Sequence, residues 1–347
     1  MLCKYREANS KEENSRDNLA CLASIMQRAL LWARLGGVKH FAVLGGGLCE
    51  NLSPNAATRF TVERKFMSYE CFDLTVAEGI AHIRFNRPDK ANSMIPSFWS
   101  ELPEAVNALS RDASARVIVL SAEGRHFSSG MDISVFTEGG LDGPASGSRF
   151  VRAEAFRHHC MELQDAFTCL EEARMPVLVA IQGAAVGGAM DLITACDCRY
   201  ATRDAFFSVH ETAIGMTADV GTYPRLVKLI PEGWARQMSY TAERVGAEKA
   251  RDIGLVNEVY DSAEQMLEAV MAIAKQIAGH APLAVSGAKR MVNYARDHTT
   301  ADGLDYIATW NASMLDVGAI RSSYVAQAEG ETPQYDALLP VKKTAGE

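Results

Sequence analysis

Val177-Leu178-Val179-Ala180-Ile181-Gln182-Gly183-Ala184-Ala185-Val186-Gly187-Gly188-Ala189-Met190-Asp191 is the stretch from which the rest of the chain can be read. Val177 to Gln182 is short, almost wholly apolar and bounded by glycine, which predicts a strand buried on both faces. Gly183 to Gly188 predicts a turn, and a helix begins near Met190. Without a β-carbon, Gly187 and Gly188 let a ligand approach the backbone, and the first N–H groups of a helix are unpaired and point beyond its start. A strand, a glycine turn and a helix in that order can form an anion or carbonyl site. The same glycines also serve a tight turn that binds nothing.

Upstream the pattern repeats. Val117 to Ser121 predicts a second buried strand, followed by His126-Phe127-Ser128-Ser129-Gly130-Met131-Asp132, again small residues after a strand. Two such turns on adjacent strands can each aim one N–H at the same carbonyl oxygen. Tyr69 to Val76 and Ile80 to Asn86 flank a Glu78-Gly79 turn signal and predict a hairpin. Phe98, Leu102, Val106 and Leu109 have helical spacing, Gly139 to Ser148 predicts a mobile surface connection, and Val151 to Ala173 a helix. Downstream, Cys198 to Thr202 and Ala205 to Val209 predict short strands, and Leu226 to about Ala326 is mostly helical in pattern. Strands alternating with helices, then helices alone, argue for an α/β core with right-handed crossovers, wrapped by a C-terminal helical region.

Three carboxylates fall in this frame: Asp191, Glu211 and Asp219. A single acid near a turn is commonly a cap or a solvated charge. Glu211 and Asp219, however, sit among apolar and small residues, and desolvating a carboxylate raises its pKa toward the range useful for proton transfer. His158-His159-Cys160 is a poor metal site, because adjacent helical residues point in different directions and no acidic partner completes it. Gly45-Gly46-Gly47 lacks the strand, helix and acid of a dinucleotide fingerprint.

The chain has 347 residues, 48% of them hydrophobic and 22% charged, so it can build a sizeable core. Lys plus Arg number 35 against 43 Asp plus Glu, a net charge of -8, so no global field attracts nucleic acid or an anionic membrane. The eight cysteines show no CxxC pair, which fits a reducing compartment, with the cytoplasm as the default. Leu19 to Leu35 is interrupted by Gln27, Arg28 and Arg34 and preceded by acids, unlike a membrane span, a signal peptide or a transit peptide. Residues 1 to 66 carry one helical pattern, about Asp17 to Leu35, and no core-forming unit. They are read as a leader, accessory or mis-assigned, with Met67 opening the fold.

Asn86-Arg87-Pro88 with Lys90, Phe127-Ser128-Ser129-Gly130-Met131-Asp132, Val186-Gly187-Gly188 and Ala195-Cys196-Asp197 resemble, in order and spacing, the motifs of the crotonase (enoyl-CoA hydratase/isomerase) superfamily, over about residues 68 to 330. The resemblance implies a spiral of ββα units (core 67 to 260), a C-terminal helical trimerisation region (261 to 335) and a tail (336 to 347). It implies an acyl-CoA thioester as ligand, a homotrimer or a dimer of trimers, and no metal or separate cofactor. The oxyanion-hole N–H groups carry over to Met131 and Gly188. The CoA and substrate surface carries over to Lys90, Ala91, Gly130, Met131, Asp132, Ile133, Gly187 and Gly188. Asp191, Glu211 and Asp219 together look like the acid set of the subgroup that isomerises 3,5-dienoyl-CoA to 2,4-dienoyl-CoA. An enoyl-CoA hydratase using Glu211 and Asp191 is the alternative. A non-enzymatic RNA-binding or scaffold protein on the same fold fits the acidic charge balance less well.

Overall fold

The computed structural model describes residues 65–137 and 146–341, all within one compact unit, Arg59–Glu347. The Asp17 to Leu35 pattern, Gly45 to Gly47 and most of the Gly139 to Ser148 connection lie outside the described residues. The strands are β1 (Lys65–Ser68), β2 (Phe72–Ala77), β3 (Ile80–Phe85), β4 (Val117–Ala122), β5 (Val177–Ile181), β6 (Ala184–Val186), β7 (Cys198–Thr202), β8 (Phe206–Ser208), β9 (Val245–Gly246) and β10 (Glu258–Tyr260). The helices are α1 (Phe98–Asp112), α2 (Ile133–Thr137), α3 (Arg149–Glu172), α4 (Gly188–Ala195), α5 (Thr222–Leu229) and α6 (Glu232–Thr241). They continue as α7 (Ala247–Asp252), α8 (Ala263–Ala278), α9 (Pro282–Asp297), α10 (Thr300–Met314) and α11 (Val317–Glu329).

One sheet runs β1-β2-β3-β4-β5-β7-β10, antiparallel through β1, β2 and β3 and parallel from β3 onward. Glu78 and Gly79 join β2 to β3 with both φ angles positive, the backbone that a two-residue hairpin turn needs. Strands β4 and β5 are buried along almost their whole length because both sheet faces are covered. Ile118, Leu120, Val177, Val179 and Ile181 face the large cluster that includes Leu102, Phe127, Phe167 and Leu192. Val117, Val119, Leu178 and Ala180, one residue out of step, face Met266, Val270 and Ala274 of α8.

Several expectations are corrected. Lys65 and Phe66 pair with Val76 and Thr75, so the folded unit reaches two residues into the segment read as leader. The region after Leu226 is mostly helical, as expected, but two short strands interrupt it: β9 returns to β8 and β10 extends the sheet beside β7. Both are two- or three-residue strands, too short to show a period in sequence. Helix α8 lies beyond residue 260 yet covers one face of the sheet, so it belongs to the body rather than to a separate helical region. The segment read as a tail is anchored as far as it is described: the Val341 N–H donates to the Arg111 carbonyl (2.8 Å) and Arg174 to the Leu339 carbonyl (3.0 Å).

A second sheet, β6-β8-β9, takes its first strand from within Gly183 to Gly188, which the sequence reads as a turn. It sits where the chain leaves the carboxyl ends of β4 and β5, the end of a parallel sheet at which ligands characteristically bind.

Candidate active site

The two glycine-rich turns are stitched together strand-like. Ser128 N–H donates to the Ala184 carbonyl and Val186 N–H to the Ser128 carbonyl, while Met94 N–H donates to Gly130 and Asp132 N–H to Met94. Gly130 has φ +84°, and a β-carbon there would lie 2.6 Å from the Val186 carbonyl oxygen and 2.9 Å from the Gly188 nitrogen. A β-carbon on Gly188 would lie 3.5 Å from the Met131 nitrogen. Glycine at both places therefore brings the Met131 and Gly188 N–H groups side by side. Neither N–H has a hydrogen-bond partner among the described residues. That of Gly188 is the first of α4 and has no acceptor within its own helix.

A pocket of about 90 Å³ opens beside these amides. Its walls include Trp99, Met131, Gly187, Gly188, Asp191, Glu211, Ile214, Met216, Asp219 and Val220. All three carboxylates singled out in the sequence thus line one cavity, although they come from three different elements.

Asp191 lies in the first turn of α4, 2% exposed, and its Oδ1 accepts the Thr222 N–H at 2.6 Å. Burial, reinforced by the Glu211 carboxylate, pushes its pKa up to about 7; the Thr222 hydrogen bond opposes the shift and Asp219 adds to it. Its carboxylate bonds to neither of the other two acids. It grips the start of α5 instead, three residues past Asp219.

Glu211 opens a short 3-10 turn, Glu211–Ile214, after β8, closed by Gly215 in the left-handed region. It is buried, its Oε2 has no hydrogen-bond partner, and its Oε1 lies against Gly187. Burial raises its pKa. A buried carboxylate oxygen with no partner, on the wall of a pocket, is poised to take a proton.

Asp219 is half-buried on the loop that leads into α5. Its backbone carbonyl accepts from Gln164 Nε2 at 2.7 Å, and its Oδ2 accepts from Cys160 Sγ at 3.5 Å. The loop is fixed from behind, where Arg225 of α5 pairs with Glu171 (2.8 Å) on α3.

The residues carried over as a CoA surface are less uniform. Lys90 is exposed at the end of the Pro88–Lys90 turn, Ala91 follows at φ 48°, and Ile133 is exposed. Asp132 is different, because its carboxylate accepts from the Ser93 hydroxyl (2.6 Å) and from the Ser134 N–H and hydroxyl, with Arg87 at 3.9 Å. Those hydrogen bonds, the Ser93 one largest, hold its pKa down to about 2. Its side chain is thereby tied to Ser93 and Ser134 at the edge of this surface. His158 and His159 turn outward to Glu154 and Glu162, while Cys160 faces the pocket side. The sequence weighs Cys160 only as part of a metal set, and no residue pattern could pair it with a carboxylate 59 positions away. Trp99, Ile214 and Met216 are also pocket walls that no motif announces.

Two free amides beside a pocket lined by three acids make a site for acid–base chemistry next to a carbonyl, the mark of an enzyme. The chain belongs to the enoyl-CoA hydratase/isomerase family, whose model matches residues 75–337. Among curated relatives it is 39% identical over 276 residues to the mitochondrial delta(3,5)-delta(2,4)-dienoyl-CoA isomerase of Rattus norvegicus, covering 79% of this chain and 84% of that one. It is 36% identical over 259 residues to the peroxisomal delta(3,5)-delta(2,4)-dienoyl-CoA isomerase of Arabidopsis thaliana, covering 75% and 93%. A solved structure of Pseudomonas aeruginosa DspI superposes with a TM-score of 0.68 at 28% identity, covering 78% of this chain and 99% of that one.

Proposed function

We propose that the protein isomerises 3,5-dienoyl-CoA to 2,4-dienoyl-CoA. The observation that carries this reading is the third carboxyl: Asp219 shares the pocket of Glu211 and the two free amides, and water addition would not need it. Glu211 removes the C2 proton, which the thioester makes acidic. The electron pair moves onto the conjugated system, and the negative charge on the thioester oxygen is met by the Met131 and Gly188 N–H groups as an oxyanion hole. One such preorganised donor is worth about 3 kcal/mol. Asp219, entering protonated, gives its proton to C6, so the double bonds at 3 and 5 become double bonds at 2 and 4. C2 and C6 lie about 5 Å apart in an extended chain, further than one fixed carboxyl reaches. Two acids in opposite protonation states avoid that movement.

In this reading the CoA moiety belongs to the substrate, and no metal or separate cofactor takes part. The surface formed by Lys90, Ala91, Gly130, Met131, Asp132, Ile133, Gly187 and Gly188 receives CoA and its acyl thioester. We assign the working compartment as a reducing one, the cytoplasm, in keeping with the five free cysteines among the described residues. No helix among those residues is long and apolar enough to cross a membrane. For assembly we propose a trimer or a dimer of trimers, since α10 and α11 leave Leu304, Ile307, Ile320 and Tyr324 exposed on a face that further copies can cover.

The test is 3,5-dienoyl-CoA in deuterated water, following the ultraviolet band of the 2,4-diene and deuterium at C2. Asp219→Asn should lower diene formation by orders of magnitude while C2 exchange survives, and Glu211→Gln should abolish both. Near-normal diene formation by Asp219→Asn, together with hydration of 2-enoyl-CoA, would overturn the isomerase assignment in favour of a hydratase.

A further inference from the structure

Helix α3 presents two donors four residues apart to a single residue of the pocket. Gln164 Nε2 holds the backbone carbonyl of Asp219 at 2.7 Å, and one turn earlier Cys160 Sγ lies 3.5 Å from Asp219 Oδ2. Residues at i and i+4 share a helix face, so both contacts come from the same side of α3. Burial, followed by repulsion from Asp219, raises the pKa of the Cys160 thiol. The group therefore stays S–H and donates to Asp219 Oδ2.

We propose that Cys160 is a positioning residue for the acid that protonates C6: its S–H fixes Asp219 Oδ2 and stabilises the carboxylate left once the proton has gone. The inference rests on the isomerase reading above. With Oδ2 occupied by the thiol, the transferable proton sits on Oδ1, and the carboxyl enters each turnover in one orientation. After transfer, a donor to the new anion favours the forward step over return of the proton. Glu211 and the amides are not touched by Cys160, so removal of the C2 proton does not depend on it.

The experiment compares the full-length protein with Cys160→Ala and Cys160→Ser, using 3,5-dienoyl-CoA in deuterated water and counting C2 exchanges per diene formed. Cys160→Ala should lower kcat for diene formation about three- to tenfold, with KM unchanged within about twofold. Its rate of C2 exchange should hold, so exchange per turnover rises by the same factor. Cys160→Ser, whose hydroxyl is a stronger donor, should restore most of kcat and bring the ratio back. A packing defect would instead lower exchange and diene formation together, and that outcome overturns the proposal. So does a Cys160→Ala protein with wild-type kcat and ratio, or a serine variant no better than alanine. Asp219→Asn in the same assay separates the two levels. If it forms diene normally, the isomerase reading fails; if it loses diene but keeps exchange while Cys160→Ala is unaltered, only the role of Cys160 fails.

Discussion

The body around β4 and β5 and the pair α10 and α11 are built from similar residues and treat them in opposite ways. In the body, apolar side chains two apart in a strand or four apart in α8 disappear from solvent because a second layer lies over them. Helices α10 and α11 bury no residue at all. What fixes α10 is one side only: Gly287 of α9 is so close to Trp310 that a β-carbon would lie 2.9 Å from the indole nitrogen, and Arg290 bonds to the Tyr306 hydroxyl. Their ends are set locally, as in the capping box in which Thr299 and Asp302 exchange hydrogen bonds. The body is thus closed over by its own layers, whereas α10 and α11 are well-formed helices whose remaining face has no cover among the described residues. The candidate acids and amides belong to the first region, and the second is where the proposed assembly can be tested.

Substitutions can separate the two. The largest effect is expected at Gly130, where a β-carbon would collide with the Val186 carbonyl and the Gly188 nitrogen at positive φ. Gly130→Ala should push the two turns apart and lower kcat by about a hundredfold or more, read in the diene assay. Retention of more than a tenth of activity would mean that the amides are not held by this contact.

Next comes Asp191, whose folded pKa of about 7 stands above the ordinary 3.8. A raised carboxyl makes ionisation costly in the folded state. Stability therefore falls as pH rises from about 4 to about 7, and the loss persists above that, on the order of 4 kcal/mol at most. Asp191→Asn keeps an acceptor for the Thr222 N–H without the charge. Its melting temperature should match the wild type near pH 4 and exceed it by several degrees at pH 8. A difference that does not vary with pH would refute the buried-charge account.

The smallest effect on the chain itself belongs to the outer helices. Leu304→Glu and Tyr324→Glu should change body stability by about 0.5 kcal/mol or less while lowering the mass seen by light scattering. If mass is unchanged and the melting temperature drops sharply, the comparison between the two regions is wrong.

Local chemistry was enough to read β2 to β5, the hairpin at Glu78-Gly79, helices α1, α3 and α4, and the candidate acids Asp191, Glu211 and Asp219. Periodicity, glycine and short-range spacing encode these directly. Motif order was enough to point to the amides of Met131 and Gly188. Only the tertiary structure decided which acid is most deeply desolvated. The sequence emphasises Glu211 and Asp219, yet Asp191 is the one packed beneath α5, because burial depends on which helix lies over a turn. Tertiary packing alone turned Asp132 inward to Ser93, brought Cys160 to Asp219 across 59 residues, and paired β9 and β10 with strands far behind them. Such contacts arise where separate elements converge, and a hydrogen bond between distant residues leaves no period or spacing in the chain that makes it.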